Sequence, residues 1–367
     1  MLDISTAKNR DITLDAVKGI GIVLMVVGHS FFSFTSFINL FHMALFFMVS
    51  GYLWNDKKAA SISTVKDAVL SKVKHLWLPF FICNSGFTLL NNLFLQIGIY
   101  SNNPAFIELF PSNVLTPHLN SENLLFELFK HFIFLGDTQL GTATWFLRTL
   151  FFVSVVHLVL RYIAMHIHFG RVIYTIAIVF TLVGTLFFTR TDFGLPGGLQ
   201  SCFPAYTAFL LGTLIRKLSH MNQIKQPSLV ICICSFIILL ILDSYGSISV
   251  GTGKVTGLLF FTLAALSGWF LAYPIAVRLP AHMKAAIAYI GKRSLWLVTL
   301  HYLSFKLVTY VYLLVTSGNM LGLAKFPVFG HLTWLKVVYA IVGVTLPLLA
   351  ERIYSAIKKR IFQRQPF

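Results

Sequence analysis

Apolar runs of roughly 18 to 25 residues recur from one end of the chain to the other, each about long enough to cross a hydrocarbon core of roughly 30 Å as a helix. Ten lie near 14–34, 36–54, 76–97, 143–163, 172–189, 197–215, 228–243, 255–277, 294–315 and 333–354. With 57% hydrophobic and only 11% charged residues and a mean hydropathy of +0.79, no soluble fold accommodates them. In lipid every backbone polar group must be satisfied within the protein, so spans of this length form helices. The expected fold is an all-α polytopic membrane bundle of about ten transmembrane helices in a single domain over 1–367, with no appended soluble domain.

Lysines and arginines are retained on the cytoplasmic side of a membrane and set orientation. With the N-terminus inside, Lys8 and Arg10, the five lysines of 57–74, Arg161 and Arg171, the basic residues of 216–225 and 278–293, and those from Arg352 onward all face the cytoplasm. They make 21 of the 29 basic residues. The opposite face carries Glu108, Glu122, Glu127, Asp137, Asp192 and Asp243, half of the 12 acidic ones. An even number of spans with both termini cytoplasmic satisfies this bias.

The net charge of +17 follows from the same bias and from attraction to anionic lipid, which removes the argument for a nucleic-acid partner. No small-residue cleavage site follows the first run, so that run is expected to be a permanent span rather than a signal peptide. Cys83, Cys202, Cys232 and Cys234 lie inside apolar runs and read as small buried hydrophobes, giving neither a disulfide nor a metal site. No 20–50 residue repeat and no inverted halves are visible. The longest polar interruption, 98–142, is external in this topology, and "NLLFELFKHFIFL" within it has the apolar spacing of an interfacial or re-entrant helix.

The first span is where the chemistry concentrates. "LDAVKGIGIVLMVVGHS" carries Asp15, Lys18 and His29, each costly in hydrocarbon. Eleven residues from Lys18 to His29 give a rise of about 16.5 Å and about three turns plus 20°, so both share one face of the helix. Asp15, three residues before Lys18, can pair with it. A lysine near a helix end can snorkel to the headgroups; a histidine deep in a span cannot, and neutral imidazole can serve as a general base. Further ionisable groups follow: His42 in "FHMALFFMVSGYLW", Arg148 three residues after Trp145 in "TATWFLRTLFF", and His301 and Lys306 in "YIGKRSLWLVTLHYLSFK". Four such spans imply a shared polar cavity.

These stretches resemble the membrane acyltransferase-3 family of bacterial O-acyltransferases that modify surface glycans. The likeness lies in "LDAVKGIGIVLMVVGHS…FHMALFFMVSGYLW", in "SKVKHLWLPFF" with its Leu-x-x-Pro-aromatic ending, in the Trp-Phe-Leu of "TATWFLRTLFF" and in the Gly-Lys-x-Ser-Leu…His of "YIGKRSLWLVTLH", nearly the whole chain. Two departures stand out. The family's first-span arginine is Lys18 here, and its paired arginines before the third span correspond to Lys72 and His75. Positive charge is kept while the bidentate fork of arginine is lost.

The resemblance implies transfer of acetyl or another short acyl group from cytoplasmic acyl-CoA to a hydroxyl of a surface polysaccharide or its lipid-linked precursor, in a bacterial inner membrane, without a metal. His29, with Lys18 and Asp15, is the expected catalytic group, either as base or as acyl carrier. Arg148, His42, Trp145 and His301 are expected to bind substrate, and Lys72, Lys74 and His75 the CoA phosphates. Two rivals are a transporter or flippase for a lipid-linked glycan, and a b-type haem protein ligated by histidines among His29, His42, His157 and His301.

Overall fold

The computed structural model describes residues 11–221, 228–330 and 332–363; Lys8, Arg10, Lys225 and Arg364 of the charge bias lie outside them. Asp11 opens α1 (Ile12–His29) by accepting hydrogen bonds from the amides of Thr13 and Leu14, which places a carboxylate at the positive end of the helix dipole. A short α2 (Thr35–Asn39) turns the chain into α3 (His42–Tyr52). Ser61 and Thr64 then form a capping box at the start of α4 (Ile62–Lys72).

From α4 the helix continues through a π-turn at Val73–Trp77 into α5 (Leu78–Leu89). Pro79 is the cause: it has no N–H to give the preceding turn, and the wider π-turn accommodates its ring. The run expected at 76–97 is therefore not one clean span. It breaks at Leu90, and α6 (Asn91–Gln96) and α7 (Pro104–Leu109) lead into α8 (Ser121–Phe132). Helix α8 packs along α5, with Trp77 Nε1 donating to the Phe132 carbonyl at 2.9 Å and Thr88 hydrogen-bonded to His131 at 2.8 Å. Its other face leaves Leu125, Phe126 and Phe129 exposed, the apolar face that an interfacial helix presents.

The remaining helices are α9 (Trp145–His166), α10 (Gly170–Arg190), α11 (Cys202–His220), α12 (Leu229–Tyr245), α13 (Leu258–Arg278), α14 (Ala281–Lys292), α15 (Ser294–Val315) and α16 (Thr333–Gln363), with a two-residue hairpin pairing Ile248 to Val255 between α12 and α13. Among the described residues eight helical stretches are long and apolar enough to cross a membrane. Two of the ten expected runs fall short: 76–97 for the break, and 228–243 because α12 has 17 residues. Cys234 faces outward from α12, exposed where burial was expected.

Glycine sets the closest approaches. A side chain on Gly19 would strike the Ile287 carbonyl and one on Gly291 the Asp15 carbonyl, so α1 and α14 meet backbone to backbone; Gly51 and Gly212 do the same for α3 and α11. With no hydrophobic drive between helices in lipid, such small-residue contacts supply the packing. Helix α1 also packs against both α3 and α15.

Candidate active site

Helix α1 ends at His29, and α15 runs beside it so that Tyr302 Oη lies 3.1 Å from His29 Nδ1. The His301 ring stacks on that of His29, with centroids 5.3 Å apart and planes 22° apart. His42, the first residue of α3, is the third imidazole close enough to act on His29 electrostatically. Within this group the proton positions follow from the acceptors. His301 Nδ1 meets the Leu297 carbonyl at 2.7 Å and His42 Nδ1 meets the Ile38 carbonyl at 2.9 Å. A carbonyl only accepts, so each Nδ1 carries the hydrogen and each neutral ring presents Nε2 as a lone pair. His301 Nε2 is buried without a hydrogen-bond partner.

His29 also borders a cavity of about 30 Å³ whose walls include Met25, Met43, Phe46, Trp145 and Ser294. At roughly 10–15 Å³ per water, this space is on the scale of a short acyl group. If His29 Nδ1–H donates to Tyr302 Oη, its Nε2 is the free basic nitrogen. A tyrosine hydroxyl both donates and accepts; where it accepts from His29 Nδ1–H, it orients the ring as the carboxylate or carbonyl partner of a catalytic imidazole does elsewhere.

Trp145, His42 and His301 therefore gather at His29. The other expected residues do not. Asp15 and Lys18 form an ion pair of 2.6 Å, with Asp15 almost fully buried, about three to four turns of α1 away from His29. Arg148 donates to both carboxylate oxygens of Asp137 at 3.0 and 3.1 Å and lies beside the Phe80 ring; its Nε is left without a partner. Lys306, 2% exposed, gives its ammonium to the carbonyls of Leu323, Ala324 and Lys325 at 2.9, 3.0 and 2.9 Å. One cavity shared by four spans is thus not what forms, because Arg148 and Lys306 each have their own acceptors.

The acceptors of Lys306 belong to a roof beside Tyr302. The segment held by Lys306 also sets Phe326 against Tyr302, with centroids 4.6 Å apart and the rings tilted, and its Phe326 amide donates to Asn113 of the 98–142 segment at 2.7 Å. Lys72, Lys74 and His75 sit far along the chain from this roof, at the α4 end of the α4–α5 helix. Lys74 and His75 are exposed, the latter bonded through Nδ1 to the Ser71 carbonyl at 2.7 Å. Burial, reinforced by Lys58, brings Lys72 down to about 8.

The haem reading also loses a member, since His157 lies elsewhere, bonded to Tyr206 at 3.0 Å and set against Trp54. Among the described residues no group of three His, Cys, Asp or Glu side chains is arranged to hold a metal ion. Sequence reasoning passed over Tyr302, whose only signal is its place beside His301, and did not connect Asp137 to Arg148.

A family model described as an acyltransferase domain, of the acyltransferase-3 type, matches residues 11–352. Searches of curated proteins and of solved structures find no match.

Proposed function

Since the chain belongs to the acyltransferase-3 family, and is thus a membrane acyltransferase, we propose that it is an O-acetyltransferase using acetyl-CoA on the cytoplasmic side of a bacterial inner membrane. The acceptor is a hydroxyl of a surface polysaccharide or of its lipid-linked precursor. The observation that carries this reading is His29, held at Nδ1 by Tyr302 beside a cavity of about 30 Å³.

In the proposed reaction His29 Nε2 takes the proton of the acceptor hydroxyl as its oxygen attacks the thioester carbonyl. The carbon–sulfur bond breaks, the acyl group passes to oxygen, and the imidazolium returns its proton to the departing thiolate. Proton and acyl group balance without a further reactant. Tyr302 holds the imidazole, and His301, whose Nε2 is unpartnered, accepts a hydrogen bond from a neighbouring hydroxyl of the acceptor. The CoA phosphates are assigned to Lys72, Lys74 and His75, where lysine acts as a point charge. Lys18 and Asp15 act from a distance, through the field along α1.

Mass spectrometry of surface glycans from cells with and without the gene tests the proposal. Loss of an acetyl increment in its absence is expected. Unchanged glycans together with altered export of the unmodified glycan would favour a flippase.

A further inference from the structure

A second cavity, of about 980 Å³, lies between α9, α10, α11 and the start of α13, and shares no lining residue with the one at His29. Its walls are apolar, with Ile178 and Leu182 from α10 facing Leu210, Leu211 and Leu214 from α11. From Thr207 to Met221, both in its lining, α11 rises about 21 Å. That exceeds one leaflet of a hydrocarbon core of roughly 30 Å.

One end of the groove is basic. Arg161, Arg216 and Lys217 line it with Asp56, and Arg161 takes up that single carboxylate in a two-point pair of 2.9 and 2.6 Å. Arg216 is held in place by the carbonyls of Tyr52 and Trp54, and Lys58 stands over the Trp54 ring at 5.7 Å. Burial and the charge of Arg216 hold the Lys58 ammonium below its usual range. Among the described residues the positive charges of Arg216, Lys217 and Lys58 thus have no carboxylate of their own. One turn deeper, His157 lines the groove, 1% exposed, with Nε2 lacking any partner. A buried polar atom without a partner is costly and calls for a ligand group.

We propose that this groove binds an anionic glycerophospholipid of the surrounding bilayer, with its phosphate among Lys58, Lys217 and Arg216, an ester oxygen at His157 and one acyl chain between α10 and α11. The apolar walls decide against coenzyme A, whose pantetheine amides would lie unpaired along them. The charge decides against a neutral lipid. The site does not depend on the reaction assigned to His29.

The test uses the full chain extracted in mild detergent and examined by native mass spectrometry, beside thermal unfolding in nanodiscs of phosphatidylglycerol or phosphatidylcholine. A phospholipid adduct on the wild-type protein is expected. It should fall about tenfold or more in the Lys58→Ala/Lys217→Ala variant, the weight of two lysines at an anionic headgroup, and in Leu211→Trp, which fills the groove. Phosphatidylglycerol should raise the unfolding midpoint of the wild type over phosphatidylcholine, and should do so less for the lysine variant, a comparison that also shows whether each variant is folded. Equal adducts in all three proteins, equal midpoints in both lipids, or coenzyme A or an isoprenoid phosphate as the retained mass would overturn the proposal. Glycan acetylation, measured in parallel, reports on the His29 reading separately.

Discussion

The two ends of α1 carry the same kind of expense and resolve it differently. At one end Asp15 and Lys18 close on each other at 2.6 Å. At the other, His29 is held at one nitrogen by Tyr302 and borders a cavity. The charges of the pair meet each other, an architectural contact next to the place where α14 meets α1 at Gly19 and Gly291, and only their field reaches the site. The imidazole turns toward a cavity instead of a charged partner, and an ionisable group so placed inside a membrane is where chemistry is looked for first. Arg148 and Lys306 fall mainly on the architectural side, since each binds the carboxylate or carbonyls of a neighbouring segment.

The largest effect that would sharpen this contrast is at the open end. His29→Ala is expected to lower acyl transfer by about a hundredfold to ten-thousandfold, the usual weight of a general base, with unchanged insertion and thermal midpoint. Tyr302→Phe should follow at about ten- to a hundredfold, the scale for losing an orienting partner. Because Tyr302 positions rather than reacts, kcat should fall with little change in KM for acyl-CoA. A rise in KM alone would move Tyr302 to substrate binding and blur the contrast.

The architectural groups should behave in the opposite sense. Lys306→Ala takes the donor from the buried carbonyls of Leu323 and Ala324 and the part-buried one of Lys325, at a cost of about 1–3 kcal/mol for a buried group so stranded. The expected result is a lower unfolding midpoint in detergent, with transfer falling only as the folded fraction falls. A normal midpoint with lost transfer would place Lys306 in the chemistry.

Lys18 discriminates more finely. Lys18→Arg should retain transfer, whereas Lys18→Gln removes the lysine charge beside Asp15 and should weaken acyl-CoA binding, with a flatter salt response, if the field along α1 matters. Equal affinity in all three proteins would make the pair wholly architectural.

The smallest effect concerns the Asp56–Arg161 pair at the basic mouth. Burial alone would raise the Asp56 carboxyl, but hydrogen bonds from Arg161 and Trp54 bring it below its ordinary value. A depressed carboxylate contributes stability above its unfolded pKa of about 4, and that contribution fades as pH falls through the folded value. With half of the Asp56 side chain exposed, the contribution is at most about 1 kcal/mol. Unfolding midpoints of wild type and Asp56→Asn should therefore differ slightly at pH 7 and converge below pH 4.

His29 was legible in the sequence because an imidazole deep in an apolar run has no bland explanation. The helical bundle was legible because length and hydropathy determine spans in lipid. Tyr302 was hidden, since a tyrosine in an apolar helix is unremarkable until a contact 273 residues away gives it a partner. Arg148 announced a need for an anion without naming Asp137, which lies in an irregular segment. The break at Leu90 and the descent of α8 beside α5 depend on side chains meeting across 55 residues, as Trp77 and Phe132 do, and periodicity does not encode that.

The central claim is that His29 supplies the base. Its most direct test is acetyl-CoA-dependent acceptor acetylation by purified wild-type and His29→Ala proteins in proteoliposomes, with and without added imidazole. The account predicts loss of transfer in the variant, a folded protein by thermal unfolding, and partial recovery when imidazole is supplied; transfer by His29→Ala near the wild-type rate would contradict it.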